Sequence, residues 1–149
     1  MTPVEAMRLA LAQARAATAH GDVPVGAVLL APDGEPVAEA HNERELTGDP
    51  TAHAELLAIR RAAAALGASR LDGCTLVCTL EPCAMCAGAM VQSRLARLVF
   101  AAWDDKAGAA GSVWDALRDP AATHRVEVAA GLLADDSARL LKEFFAQRR

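Results

Sequence analysis

Residues 75–102 read TLVCTLEPCAMCAGAMVQSRLARLVFAA, and this stretch decides the fold class. Its two ends, Thr75–Leu80 and Arg97–Ala102, are short apolar runs typical of buried strands. A helix is predicted between them, over residues 82–94, because Pro82 suits a first helical turn. Strands joined by a helical crossover lie parallel in one sheet. The stretch therefore predicts an α/β protein.

The rest of the chain predicts further helices and strands. A Thr-Pro-x-Glu start at residues 2–5 opens a helix that runs to about His20. The turn PDGE at residues 32–35 separates two apolar runs, 25–31 and 36–41, which predicts a hairpin. The other expected elements are a loop over 42–50, a helix from Thr51 or Ala52 to Leu66, a loop over 104–112, a short helix over 113–117, a strand over 125–129 and a last helix capped by Asp135 or Asp136. Together they predict one domain over residues 1–149, with about five strands and helices on both faces.

Composition and charge exclude several classes of protein. The chain has 149 residues, 53% of them hydrophobic and 23% charged, which argues against disorder. It contains no apolar stretch long enough to span a membrane and no signal-peptide pattern at its start, so we expect a cytoplasmic protein. The net charge of −4 argues against binding nucleic acid through bulk charge. Residues 94–149 nevertheless carry 9 basic and 8 acidic residues, so any such contact is expected to be local and C-terminal.

The four cysteines lie between positions 74 and 86. In a cytoplasmic protein such clustering favours metal binding or catalysis over disulfides. Cys83 and Cys86 are three residues apart at a predicted helix start, so both sulfurs project from one face, as in half of a zinc site. Taken alone, a C-x-x-C pair is equally compatible with a redox pair or with buried thiols.

His53 adds a third candidate ligand. Two cysteines and one histidine are the number of protein ligands that a catalytic zinc uses, since its fourth position is kept for water. We found no fourth ligand at suitable spacing among the remaining cysteines and histidines, which are Cys74, Cys78, His20, His41 and His124. Cys74 and Cys78 are expected to be small buried hydrophobic residues.

Glu55 lies two residues after His53. On a regular helix two such side chains diverge by about 200°, so Glu55 does not pair with His53 as a ligand. It is better placed as a neighbouring carboxylate that moves the protons of a zinc-activated water. The alternative is a solvated glutamate in the first helical turn, where it interacts favourably with the helix dipole.

The pattern His53-Ala-Glu55 followed by Pro82-Cys83-Ala-Met-Cys86 resembles the zinc-dependent nucleoside and nucleobase deaminases. Within that superfamily the chain is similar to the bacterial tRNA-specific adenosine deaminases over nearly its whole length. The similar segments are DPTAHAE (49–55), TLEPCAMCAGAM (79–90), KAGAAGS (106–112), HRVEV (124–128), Phe144–Phe145 and Arg148–Arg149.

This resemblance implies a three-layer α/β/α cytidine-deaminase-like fold with a mixed sheet. It also implies hydrolytic deamination of adenosine to inosine at the wobble position of a tRNA anticodon, by a homodimer. The residue roles that it implies are His53, Cys83 and Cys86 holding one Zn²⁺, Glu55 shuttling protons, Asn42 bonding the base, Asp104 contacting the sugar, and Phe144 with Arg148 and Arg149 gripping the anticodon loop.

Some features depart from the family pattern and leave alternatives open. Trp103 stands where many members carry a basic residue, and Asp105 adds a second negative charge beside Asp104. Both changes would weaken attraction to RNA, although Trp103 could stack on a base instead of packing on the sheet. A deaminase of free guanine or cytosine shares the same site residues. A zinc-stabilised binding module without catalysis remains a further alternative, and it requires a fourth protein ligand.

Overall fold

The computed structural model describes residues 1–148, in which one five-stranded sheet carries helices on both faces. Arg149, the predicted terminal contact to RNA, lies outside the described residues. The elements in chain order are α1 (Pro3–Ala17), a 3₁₀ turn (Thr18–His20), β1 (Gly26–Leu30), β2 (Pro36–His41), α2 (Arg44–Thr47), α3 (Ala54–Leu66), β3 (Thr75–Leu80), α4 (Ala84–Gln92), β4 (Arg97–Ala102), β5 (Glu127–Ala130) and α5 (Ala134–Ala146).

The sheet is mixed, with strand order β2-β1-β3-β4-β5. β1 is antiparallel to both β2 and β3, which confirms the predicted hairpin. β3, β4 and β5 run parallel to one another. The crossover from β3 to β4 is helix α4, as the sequence of residues 75–102 predicts.

Alternating strand residues build one core on each face of the sheet. Val28, Val77 and Val99 pack with residues of α1 and α5. Their neighbours on the opposite face pack with α3 and α4; they include Leu29, Leu76, Leu98 and Phe100. Two helices therefore cover each face, and the three-layer α/β/α architecture is confirmed.

The sheet and α1 come unusually close at Gly26. A Cβ atom at this position would stand 1.9 Å from the backbone oxygen of Ala10. Only glycine allows this approach, which brings the start of β1 against the middle of α1, at Ala10 and Ala14. The segment between α1 and β1, including Asp22 and Val23, borders the cavity described below.

Two helices begin later than the sequence predicts. α3 starts at Ala54 rather than Thr51 or Ala52, because the Asp49 carboxylate accepts hydrogen bonds from both the backbone and the hydroxyl of Thr51 and holds this segment in a turn. α4 starts at Ala84 rather than Pro82 and ends at Gln92 rather than near residue 94. Its end is set by Arg94, which has a left-handed backbone (φ 62°).

Three further expectations are wrong in detail. The loop over 42–50 contains a single helical turn, α2. The short helix over 113–117 is absent, because the amides of Val113 and Trp114 both donate to the Gly108 oxygen and close a tight turn instead. The residue before α5 is Leu133, so Asp135 and Asp136 lie in the first turn and do not cap the helix.

Among residues 1–148 we find no helix with the length and apolar character that crossing a membrane would require.

Candidate active site

The beginnings of α3 and α4 meet on one face of the sheet. His53 is the residue immediately before α3, and Cys83 is the residue immediately before α4. Neither side chain forms a hydrogen bond that caps its own helix, so both are available to a ligand. The positive ends of two helix dipoles are directed at this point, which favours thiolates there.

These residues and Cys86 form a compact group of ligand atoms. The Nδ1 atom of His53 lies 3.6 Å from the Sγ atom of Cys83 and 3.6 Å from that of Cys86. Sulfur and nitrogen ligands at the usual distances from a tetrahedral zinc ion are also about 3.6 Å apart. The three side chains therefore fit Zn²⁺ in both donor chemistry and spacing, as predicted.

The group has three protein ligands. Within residues 1–148 no fourth His, Cys, Asp or Glu side chain joins it. Cys74 and Cys78 are buried in the core instead, as expected. A zinc site closed by four protein ligands, which a purely structural module requires, is thus not formed by the described residues, and the three-ligand arrangement is that of a catalytic site.

The pKa values of the two site cysteines shift in opposite directions. Hydrogen bonding to Cys86 lowers the pKa of Cys83 to about 4 against the opposing effect of burial, and hydrogen bonding to His53 adds to the lowering. Hydrogen bonding to Cys83, together with burial, raises the pKa of Cys86. The environment thus favours a thiolate at Cys83, the form of cysteine that binds a metal ion.

Glu55 lies in the first turn of α3 and is 4% exposed. This burial excludes the alternative of a solvated surface glutamate. Burial raises the pKa of the Glu55 carboxyl to about 7, against the opposing effects of its own backbone N–H and of His53. A carboxyl group with such a pKa can accept and donate a proton near neutral pH.

A cavity of about 620 Å³ opens beside these residues. His53, Glu55 and Cys83 form part of its wall. The other sides are formed by residues 21–25, 42–45, 80–81, 104–107 and the end of α5. Its size falls in the range of small-molecule sites, roughly 300–1,000 Å³.

The sequence-family model for the cytidine and deoxycytidylate deaminase zinc-binding region matches residues 2–102 of this chain. The chain belongs to this deaminase family. The tRNA-specific adenosine deaminase of Bacillus subtilis is 45% identical over 143 residues, which are 96% of this chain and 88% of that protein.

Solved structures of deaminases share the fold. A tRNA:A34 deaminase of A-to-I editing at the wobble position superposes with a TM-score of 0.89 at 43% identity, over 92% of this chain and 99% of that one. A guanine deaminase from Nitrosomonas europaea superposes with a TM-score of 0.81 at 31% identity, over 97% of this chain and 85% of that one.

Two of the predicted substrate residues, Asn42 and Asp104, border the cavity of this deaminase. Asn42 donates from its amide to the oxygen of Val23 and accepts from the amide of Arg44, and both bonds hold it at the rim. Asp104 accepts hydrogen bonds at Oδ1 from the amides of Lys106 and Ala107, which turns the loop toward the cavity.

The C-terminal helix brings an aromatic and a basic residue to the cavity. Phe144 is buried and Phe145 is exposed, as expected for adjacent residues on one helix. The Arg148 guanidinium lies 3.8 Å from the centre of the Phe144 ring, and both residues line the cavity.

Trp103 makes an edge contact with the ring of Phe100, and the residue remains 52% exposed.

Two buried carboxylates that sequence reasoning missed border the cavity as well. Asp22 accepts hydrogen bonds from the amides of Glu45 and Leu46 and thereby holds α2 beside the rim. Glu81 accepts hydrogen bonds from three backbone amides of the loop after β4. The sequence offered one signal for Glu81, its place directly between the apolar strand Thr75–Leu80 and the candidate ligand segment Pro82-Cys83.

Proposed function

We propose that this deaminase converts adenosine to inosine at the wobble position of a tRNA anticodon, as a single deaminase domain over residues 1–149. The observation that supports this most directly is a buried carboxyl group, that of Glu55, in a cavity beside a three-ligand zinc site. The name of the Bacillus subtilis relative and that of the matched A34 deaminase support the choice of substrate.

His53, Cys83 and Cys86 would hold the metal. Zn²⁺ bound by such a ligand set supplies a water activated for attack at neutral pH. Glu55 accepts a proton from the attacking water and delivers it to N1 of the adenine, which makes C6 more electrophilic. Glu55 then takes the proton of the hydroxyl group added at C6 and gives it to the amino group; the bond from C6 to the amino nitrogen breaks, ammonia leaves, and the C6 oxygen becomes the carbonyl of inosine. Proton transfer by a positioned side chain is typically worth about 10²–10⁴-fold in rate.

The proposed substrate contacts are those that the family resemblance implies, and their residues line the cavity. Asn42 hydrogen-bonds the base, and Asp104 contacts the sugar. Phe144 supports the Arg148 guanidinium, and Arg148 pairs with a phosphate of the anticodon loop. Arg149 is proposed to contribute to the same contact.

A loop nucleotide suits this cavity. Glu55 and His53 lie inside it, so the target base has to leave its stack to reach them. Bases in single-stranded loops are unstacked at little cost, and sequence-specific recognition of RNA favours such loops. With tRNA as its substrate, the enzyme is proposed to act in the cytoplasm.

We also propose that the deaminase is a homodimer. Large apolar side chains at the surface support this, since Val113 and Trp114 are adjacent and are 49% and 62% exposed. Light scattering of the purified protein at several concentrations tests it, and a monomer at all concentrations would reject it.

The experiment for the activity uses purified zinc-loaded protein and an anticodon stem-loop with adenosine at position 34. We expect inosine to form there, and no reaction with a matched stem-loop carrying guanosine at that position. Free guanine and cytosine are assayed in parallel, because a guanine deaminase is among the structural matches. Release of ammonia from a free base without editing of the stem-loop would favour the free-base alternative.

A further inference from the structure

Glu81 lines the cavity together with the zinc ligands His53 and Cys83. It follows β3 directly and precedes Pro82 and Cys83, and it is 2% exposed. Its carboxylate oxygens accept hydrogen bonds from the backbone amides of Asp104, Ala110 and Ser112, at 3.0, 2.9 and 3.1 Å. The Glu81 side chain, which lies just before helix α4, thus binds three backbone amides of the loop 104–112.

The loop 104–112 is closed tightly around this carboxylate. A Cβ atom at Gly108 would stand 2.2 Å from the Oε1 atom of Glu81, so glycine is required there. Ala109 donates its amide to the oxygen of Pro82 at 2.8 Å. The hydroxyl of Ser112 donates to the backbone oxygen of Asp104 at 2.7 Å and ties the two ends of the loop together.

The charge of Glu81 is satisfied by backbone groups. No ion pair joins it to a lysine, arginine or histidine within residues 1–148, so the three amides are its described partners. Burying a carboxylate without hydrogen-bond donors costs much folding free energy, and burying backbone amides without an acceptor costs folding free energy too. The carboxylate and the loop conformation therefore depend on each other.

The same loop carries Asp104 and Ala107 into the wall of the cavity. We propose that Glu81 is a positioning residue, which holds the loop 104–112 at a set distance from the zinc ligands and so keeps Asp104 in reach of the substrate. The kinetic part of this proposal rests on the proposed function. Its structural part concerns the loop alone and can be tested on the protein without substrate.

Two substitutions test the contact between Glu81 and the loop 104–112, one in each partner. Glu81→Gln replaces one acceptor oxygen with an NH₂ group that faces backbone amides, and Gly108→Ala places a methyl group against the carboxylate and against the Oγ atom of Ser112. For both we expect faster hydrogen exchange of the amides in 104–112, with one zinc per chain retained. We expect kcat/KM for the stem-loop to fall about 10–100-fold, mostly because KM rises.

Matched controls separate this effect from general damage. Glu35→Gln changes an exposed glutamate, and Gly88→Ala adds a methyl group where nothing lies within 4 Å. Both are expected to leave the exchange of loop 104–112 unchanged.

The double variant Glu81→Ala/Gly108→Ala tests whether the two positions act through one contact. Without the carboxylate the added methyl group is relieved of one of its two close contacts, the other being the Oγ atom of Ser112, so we expect the double variant to lose less activity and loop protection than the sum of the two single variants. Additive losses would overturn the proposal.

The proposal would also be overturned if Glu81→Gln left the hydrogen exchange rates of the amides in 104–112 unchanged, or if its loss of activity came from kcat alone. If Glu81→Gln does not fold, the exchange rates of Gly108→Ala measured in a Ser112→Ala background decide it, because there the carboxylate is the close contact that remains. Failure of the wild-type protein to edit the stem-loop would contradict the proposed function and leave the exchange test of the loop in force.

Discussion

The Nδ1 atom of His53 and the Sγ atom of Cys83 lie 3.6 Å apart, although 30 residues separate them in the chain. Each is the residue that immediately precedes a helix, and the two helices pack on the same face of the sheet. The fold therefore brings these two ligands together from distant parts of the chain.

Loss of one ligand should abolish zinc binding. We expect Cys86→Ala to contain no zinc after dialysis, because two remaining ligands hold the ion much more weakly than three. Metal analysis of the purified protein measures this. Cys74→Ala is the matched control, since Cys74 is buried in the core away from the site, and it should retain one zinc per chain. Zinc at full occupancy in Cys86→Ala would contradict the assignment of the ligands.

Removal of zinc should also destabilise the folded protein. An ion present at a hundred times its Kd adds about 2.7 kcal/mol to the free energy of unfolding. We therefore expect a chelator to lower the Tm of the wild-type protein and to leave that of Cys86→Ala unchanged. Thermal unfolding followed by circular dichroism measures the shift. Equal shifts in the two proteins would mean that the chelator acts elsewhere.

Glu55→Ala should separate metal binding from catalysis. The three ligands remain, so zinc content should stay at one per chain. Editing of the stem-loop should fall by about 10²–10⁴-fold, because the proton carrier is lost. Glu39→Gln, a change at an exposed glutamate of β2, is the control and should keep full activity. An active Glu55→Ala protein would reject the proposed role.

Asp22→Asn should loosen the rim that carries Asn42. Asp22 is 1% exposed, and its carboxylate accepts from the amides of Glu45 and Leu46 and contacts Nδ1 of His20 at 2.6 Å. An asparagine cannot accept all three bonds, so we expect a loss of about 1–3 kcal/mol in unfolding free energy.

Denaturant titration measures this loss, and the matched control is Asp72→Asn. Asp72 is well exposed and pairs with Arg70 at the surface, so its change should stay within about 0.5 kcal/mol. Equal stabilities of the two variants would show that the Asp22 contacts contribute little.

Arg148→Ala should weaken the binding of the anticodon stem-loop. If the guanidinium pairs with one phosphate, the slope of log Kd against log salt should fall by about one. Binding measured at several salt concentrations tests this. Arg139→Ala, on an exposed part of α5, is the control and should change neither affinity nor slope. An unchanged slope for Arg148→Ala would exclude the phosphate contact.

Much of the fold follows from local sequence signals. The capping pair around Pro3, the PDGE turn at residues 32–35 and the apolar runs of β3 and β4 each act over a few residues, so sequence alone predicts them. The family motif likewise identifies His53, Glu55, Cys83 and Cys86, because catalytic chemistry requires those residue types at that spacing.

The sequence by itself determined the α/β/α layers, the parallel β3-α4-β4 unit and the zinc ligands. Tertiary structure decided how the two buried carboxylates Asp22 and Glu81 hold the cavity walls. The start of α3 and the turn at residues 113–114 are set by contacts within six residues along the chain, which helix propensity does not indicate. The physical reason is range. Helix and strand signals arise between near neighbours, whereas a buried carboxylate takes its hydrogen bonds from amides more than 20 residues away, and only the folded chain brings them together.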